Sequence, residues 1–228
     1  MHSVIADPRV AAALERLYAA AKGDRWVFLR AAPAALWSLL RGGSMLDGVL
    51  PYLQDAYIPI TPEQGDFLYL TARLIDARTI VEFGTSFGIS ALYLAAAARA
   101  NGGRFIGSER ESGKLSAARA NIAAAGLAGV AEVREGDAMA TFAELPAPID
   151  FVLLDGWKDL YLPMLRLLAP KLRAGAAVFA DNVFTFPKEL AAYVAFVRDP
   201  VNGFASMTLP LGHGLEYSVR LAPVTIRA

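Results

Sequence analysis

Hydrophobic and polar positions change their period near Ile60. Before it they recur at helical spacing: Val10 to Ala21 carries apolar residues three and four apart, and Trp26 to Leu40 repeats the pattern, with Pro33 predicting a break and Gly42-Gly43-Ser44 a turn. From Thr61 onward, short apolar runs alternate with longer amphipathic stretches. The pattern predicts helix 62–75, strand 79–83, helix 89–99, strand 104–108, helix 112–125, strand 131–134 and a short helix near Met139. Strand 150–154, helix 160–168, strand 176–180 and helix 188–196 follow. Such alternation implies parallel strands joined by right-handed crossovers. Residues 206–211 and 215–221 are strand-like and joined across Gly212-His213-Gly214, which predicts an antiparallel hairpin at one sheet edge. The expected architecture is α/β: a doubly wound, mostly parallel seven-stranded sheet over residues 61–228, with a C-terminal hairpin and an N-terminal helical cap over residues 1–60 of the same domain.

Composition narrows the chemistry. The 228 residues suffice for one domain with a real core. With 22 basic and 22 acidic residues the net charge is zero, so no basic field exists to attract nucleic acid, and no such partner is expected. Cysteine is absent, which removes disulfides, zinc-thiolate sites and thiol nucleophiles. The start, MHSVIADPRV, has early charges and no apolar run after it, so it does not read as a secretory signal, and a cytoplasmic location is expected. No stretch is long and apolar enough for a membrane span. The Ala-rich helices need no functional explanation.

The run VEFGTSFGIS, Val81 to Ser90, is a strand, a glycine turn and a helix start, the arrangement by which open α/β sheets bind nucleotide-like ligands. Gly84 and Gly88 form G-x-x-x-G rather than the G-x-G-x-x-G that admits a pyrophosphate, which favours a ligand without phosphates. Glu82, the backbone of Gly84 to Ser86, and Ser90 are candidates to hold an amino-acid moiety at the helix start. A plain strand-to-helix turn is the alternative. Glu109 ends the next strand where such sheets place a carboxylate on ribose hydroxyls, although a solvated surface Glu fits equally. Asp137, in the turn after the third strand, is a weaker candidate for the adenine side.

A second constellation lies at later strand ends. Asp155 closes one apolar strand and Asp181-Asn182 another, so two carboxylates and an amide converge, a donor set suited to a hard divalent cation such as Mg²⁺. With His2 and His213 the only histidines, zinc is disfavoured. Helix capping or ordinary turns are the alternative for each Asp. Lys158, three residues past Asp155, can reach over the same crevice, where nearby positive charge would lower its pKa toward that of a useful base. Trp157 could stack on a purine or pack at a rim.

Together these segments resemble the class I S-adenosylmethionine-dependent O-methyltransferases, in particular the cation-dependent, catechol O-methyltransferase-like branch, from about Thr61 to the end. The resemblance implies a Rossmann-like fold, S-adenosylmethionine as cofactor, and a divalent cation, Mg²⁺ by expectation. By it Gly84 and Ser90 would bind the methionine part, Glu109 the ribose, and Asp137 would lie by the adenine. Gln64 and Gly65 would border cofactor and acceptor. Asp155, Asp181 and Asn182 would be metal ligands, Asp155 and Trp157 also lining the cofactor site, and Lys158 the catalytic base. Glu216, in His-Gly-Leu-Glu, would hydrogen-bond a second acceptor hydroxyl. The implied partner is a small hydroxylated aromatic acceptor. Gly156 and His213 depart from the vertebrate catechol enzymes, which carry His and Asp there. Trp37, Leu40, Met45 and Tyr57 are candidates for an apolar lid, with core packing as the alternative, and Phe184 and Phe186 for an acceptor wall. The N-terminal helices could serve as lid, as homodimer contact, or as both. Rival readings are a dehydrogenase on the same sheet, a metal-independent methyltransferase acting on another group, and a non-catalytic cofactor-binding module.

Overall fold

The computed structural model describes residues 4–23, 32–34, 36, 37, 41 and 57–222. Most of the expected helix Trp26 to Leu40, the turn at Gly42, and the lid candidates Leu40 and Met45 lie outside the described residues.

Seven strands form one sheet in the order β3-β2-β1-β4-β5-β7-β6. Their ranges are β1 Thr79–Phe83, β2 Arg104–Glu109, β3 Ala131–Glu135, β4 Ile149–Leu154, β5 Leu172–Asp181, β6 Phe204–Leu209 and β7 Leu215–Arg220. The first five are parallel, while β7 runs antiparallel to both β5 and β6, which makes the C-terminal hairpin the sheet edge expected from the sequence. The order reverses between β1 and β4, and at such a switch point two neighbouring loops leave the strand ends in opposite directions and open a crevice.

The helices are α1 Pro8–Ala21, α2 Pro62–Leu74, α3 Ile89–Ala100, α4 Ser112–Ala124, α5 Ala138–Thr141, α6 Tyr161–Leu168 and α7 Ala191–Arg198. Helices α1 to α4 share one hydrophobic core with one sheet face, through Leu14, Leu68, Leu92 and Phe179 among others. Helices α5 to α7 cover the other face, with Phe142, Leu165 and Tyr193 against Val152 and Val178. Helix α3 is buried over all ten residues from Ile89 to Ala98, which explains its composition: a helix enclosed on every side must be apolar all round, and alanine lets neighbours approach closely.

Helix α1 is part of this core. Asp7 caps it, an ion pair from Arg99 to Asp7 at 2.8 Å ties it to α3, and Arg16 donates to Asn121 of α4 at 2.9 Å. Two boundaries differ from expectation. Strand β5 starts at Leu172 rather than 176, because Arg173 and Gly175 look unlike strand residues yet Leu172 pairs with Ile149. Helix α7 starts at Ala191 rather than 188, after a turn in which Leu190 donates to the carbonyl of Phe186 at 3.0 Å. Among the described residues no helix is long and apolar enough to cross a membrane.

Candidate active site

The glycine turn is built by three left-handed residues. Gly84, Ser86 and Gly88 have φ of 92°, 48° and 90°. Gly84 is required twice over, since a Cβ there would lie 2.7 Å from the backbone nitrogen and Cα of Gly156. The loops after β1 and β4 therefore touch backbone to backbone, and the Asp155 amide donates to the Phe83 carbonyl at 2.9 Å. At Gly156 a Cβ would lie 2.5 Å from the Phe83 ring, so a side chain there would require that ring to move.

Glu109 locks this turn. One of its carboxylate oxygens accepts from the Ser86 amide at 2.7 Å, and the other from the amides of Arg110 and Glu111, both at 2.8 Å. That offsets the strain of a left-handed serine and brings the carboxylate to the crevice mouth. Asp137 stands next to it: the Gly136 amide donates to the Glu109 carbonyl at 3.1 Å, and Asp137 caps α5 through the Met139 amide at 2.9 Å. Helix α3 begins at Gly88 without a side-chain cap, which leaves its first amide donors available beside Ser90.

Glu82 lies near the end of β1, just before the turn. Its side chain is fully buried beneath the turn, and neither carboxylate oxygen makes a hydrogen bond. Burial pushes its pKa up to about 7, with the charge of Glu109 adding to the shift and the nearby Ser90 and Thr85 hydroxyls opposing it.

At the ends of β4 and β5 the charged groups converge. Lys158 Nζ lies 3.6 Å from Asp155 Oδ1 and donates to the Tyr161 hydroxyl at 2.8 Å. Tyr161 in turn reaches the Asp181 carbonyl at 3.4 Å. Asp181 is buried, one carboxylate oxygen accepting from Gln64 Nε2 and the other from Asn182 Nδ2, both at 2.8 Å. Burial raises the Asp155 pKa well above the ordinary range, and the charge of Asp181 adds to it while Lys158 opposes. Asp181 is raised by burial too, against its hydrogen bonds from Asn182 and Gln64. Burial lowers Lys158, and the two carboxylates counteract that. Two anions thus share one buried cation. Among the described residues no group of three or more His, Asp or Glu side chains is placed to hold a metal, so the donors on offer are two carboxylates and the side-chain amide oxygen of Asn182.

Glu216 is fully buried: its oxygens accept from Arg198 at 2.8 and 2.9 Å and from Ser206 at 2.8 Å, and Thr208 completes the set. It fastens the β6–β7 hairpin to α7, and these partners hold its pKa below the usual value although burial works the other way. Gln64 is fully buried, with its oxygen on the Thr61 amide and its nitrogen on Asp181, so it orients that carboxylate. Gly65 exists for packing, since a Cβ would run into the ring of Tyr93.

Trp157 and Phe184 stand at the surface, 55% and 57% exposed, and the Phe186 ring lies 5.7 Å from Lys158 Nζ. Trp37 is exposed with Arg41 over its ring, whereas Tyr57 stacks on Phe87 of the glycine turn at 4.1 Å. Sequence reasoning did not single out Tyr161, Arg198 or Phe87. The first had a usable signal, lying three residues after Lys158 on the same helical face.

A glycine turn at the switch point, an acid at the end of β2 and an antiparallel hairpin edge thus come together in one sheet. Residues 81–183 match the family model described as Methyltransferase domain. Catechol O-methyltransferase of Niastella koreensis is 34% identical over 137 residues, 58% of this chain and 62% of that protein. Catechol O-methyltransferase of Mycobacterium tuberculosis is 35% identical over 127 residues, 55% of this chain and 57% of that protein. The alignments therefore span less than two thirds of either relative. The solved O-methyltransferase of Bacillus cereus in complex with SAH superposes with a TM-score of 0.64 at 26% identity, covering 71% of this chain and 82% of that one.

Proposed function

We propose that this protein transfers a methyl group from S-adenosylmethionine to a hydroxyl of a small aromatic, catechol-like acceptor, with Lys158 as the base. The observation that carries this reading is the union of the glycine turn, clamped by Glu109, with the buried Asp155–Lys158–Asp181 cluster across a backbone contact at Gly84 and Gly156. The named relatives and the SAH-bound neighbour support it.

The uncapped start of α3 and Ser90 suit the carboxylate of the methionine moiety, Glu109 the ribose, and the turn at Asp137 with Trp157 the adenine end. Asp155, Asp181 and the Asn182 carbonyl fit a hard divalent cation such as Mg²⁺, because two buried carboxylates without enough positive charge are otherwise costly. Such a cation would supply Lewis acidity, which favours the ionised form of a phenolic hydroxyl whose unperturbed pKa is near 10.

The chain's own groups supply the rest. Lys158 is held by Tyr161, whose own proton points to the Asp181 carbonyl; Lys158 must then act as the donor in that pair, and its lone pair, when neutral, is left for the acceptor's proton. The aromatic side chains of Phe184, Phe186 and Trp157 flank the cluster and would exclude water from a flat ring, leaving the nucleophile and sulfonium held in line.

Transfer of a labelled methyl group from S-adenosylmethionine to vicinal diphenols, with Mg²⁺ and again with excess chelator, tests the proposal. Transfer that disappears with chelator supports it. Transfer that survives chelation removes the cation, and absence of transfer to any diphenol removes the acceptor class.

A further inference from the structure

The two edges of the sheet are built differently. At one end of the order, β3 carries Glu132, Arg134 and Glu135, and the guanidinium of Arg119 on α4 covers its Val133 carbonyl, with Nη2 at 2.8 Å. Charge and a covering side chain keep an open strand edge from pairing with another chain. At the other end, β6 has neither. Its sequence, Phe204-Ala205-Ser206-Met207-Thr208-Leu209, holds no charged residue and no proline, and it pairs with β7 at every position without a bulge.

The register says which backbone groups of β6 are open. Leu221 donates to the Gly203 carbonyl at 2.9 Å, so that pair is hydrogen-bonded. Alternation along an antiparallel ladder then turns the amides and carbonyls of Ala205, Met207 and Leu209 toward β7, and those of Phe204, Ser206 and Thr208 outward. Among the described residues no further strand pairs with this outer side. The two faces flanking it are uncharged as well. Met207 is 57% exposed and pairs with Tyr217, whose ring meets Phe67 of α2, and Leu70 and Leu74 of that helix are exposed too. On the opposite face Phe196 of α7 meets Phe204, and α7 exposes Ala191, Ala192 and Ala195.

We propose that β6 is the contact through which two copies of this chain associate, pairing antiparallel about a twofold axis at Ser206 so that their sheets become one. The strand itself specifies a second copy as its occupant. In this register the outward groups of Phe204 and Ser206 meet those of the partner's Thr208 and the partner's Ser206, so each open donor finds an acceptor. Met207 stands opposite the partner's Ala205, a long side chain against a short one, twice by symmetry. Pairing a strand with its own copy repeats every charge, which suits neutral β6 and disfavours β3. Adjacent strands lie about 4.8 Å apart, so the two copies of α7 come side by side over the joint, where alanines permit close approach. The contact bears on the site, because Ser206 and Thr208 hold Glu216, and β7 starts from the loop whose His213 and Gly214 carbonyls accept from Phe184 and Val183. It is independent of which ligand the crevice binds.

Sedimentation velocity of the full chain across a range of concentrations tests this. The parent should sediment as a dimer. Met207→Lys places an ammonium in each half of the joint and should raise the dissociation constant about a hundredfold, with the circular dichroism of the parent retained, since the side chain is exposed in the single chain. The absence of cysteine allows a second reading. In Ser206→Cys the two thiols face each other at the twofold position, and mild oxidation should yield a linked dimer, whereas Glu132→Cys on the opposite edge should not link. A parent that stays monomeric at every concentration, or that forms open-ended assemblies, overturns the inference. So does a dimer in which Ser206→Cys links no faster than Glu132→Cys, since the contact then lies elsewhere. Linkage decides where Met207→Lys fails to fold or the two variants disagree.

Discussion

Gly84 and Gly156 meet with no space for a side chain between them, so the turn that would hold the cofactor and the loop that carries Asp155 and Lys158 are in backbone contact. Gly84→Ala adds a Cβ at φ 92° and drives it into the Gly156 backbone. A loss of more than about 2 kcal/mol of stability is expected, with donor binding impaired in whatever remains folded. Urea unfolding and donor titration measure the two; an unaltered midpoint would mean that the loops can separate freely.

Asp181→Asn should abolish cation-dependent transfer and leave donor affinity nearly unchanged, because Asp181 is held by Gln64 and Asn182 on the hairpin side of the crevice. Paired donor-binding and rate measurements check this, and equal loss of both would count against separate sites.

Arg198→Ala leaves the buried Glu216 carboxylate with only hydroxyl partners. Since Arg198 is about half exposed and water can partly replace it, a cost of about 2 kcal/mol is expected. A double-mutant cycle with Glu216→Gln should show coupling, and additive effects would deny the pair its role.

Glu82 makes stability fall as pH rises. In the unfolded chain it ionises near 4.5, while in the folded protein its pKa is pushed up to about 7. Between these values only the folded form holds the proton, so each step upward favours unfolding, and above 7 the loss is complete. Relative to the parent, Glu82→Gln should gain on the order of 3 kcal/mol between pH 4.5 and pH 8. Denaturant midpoints across that range show it; parallel curves for the two proteins would refute it.

Tyr57→Ala removes the stack on Phe87 at 4.1 Å, through which the chain entering α2 steadies the glycine turn. An aromatic pair contributes about 1 kcal/mol, so donor binding should weaken by about fivefold. Donor dissociation constants for variant and parent measure the effect.

The sheet was legible because its strands are short, largely apolar runs bounded by glycine or acidic residues. Val81 to Phe83 and Phe151 to Leu154 fall on the strands expected, with Gly84 and Asp155 following them. Residue types at strand ends likewise singled out Glu109, Asp155, Lys158, Asp181 and Asn182 as candidates. What one sequence could not show is where a carboxylate finds its partner. Glu216 sits on the β7 register opposite Ala180, but Arg198 lies 18 residues earlier on a different element, and nothing local announces the pair. The partner of Gln64, Asp181, is likewise 117 residues away. The burial of Glu82 follows from two neighbouring strands and a covering helix, which no window along the chain contains.

The side chain of Gln64 closes the capping box of α2 with Thr61 and, with its other end, fixes Asp181. Helix fraying and loss of reactive geometry thereby become one event. When the first turn of α2 opens, the amide leaves Asp181, and the carboxylate is free to swing toward Lys158. A local opening of a few residues, well short of global unfolding, would thus release Asp181, and amide exchange at Gln64 and Gly65 would report how often it occurs.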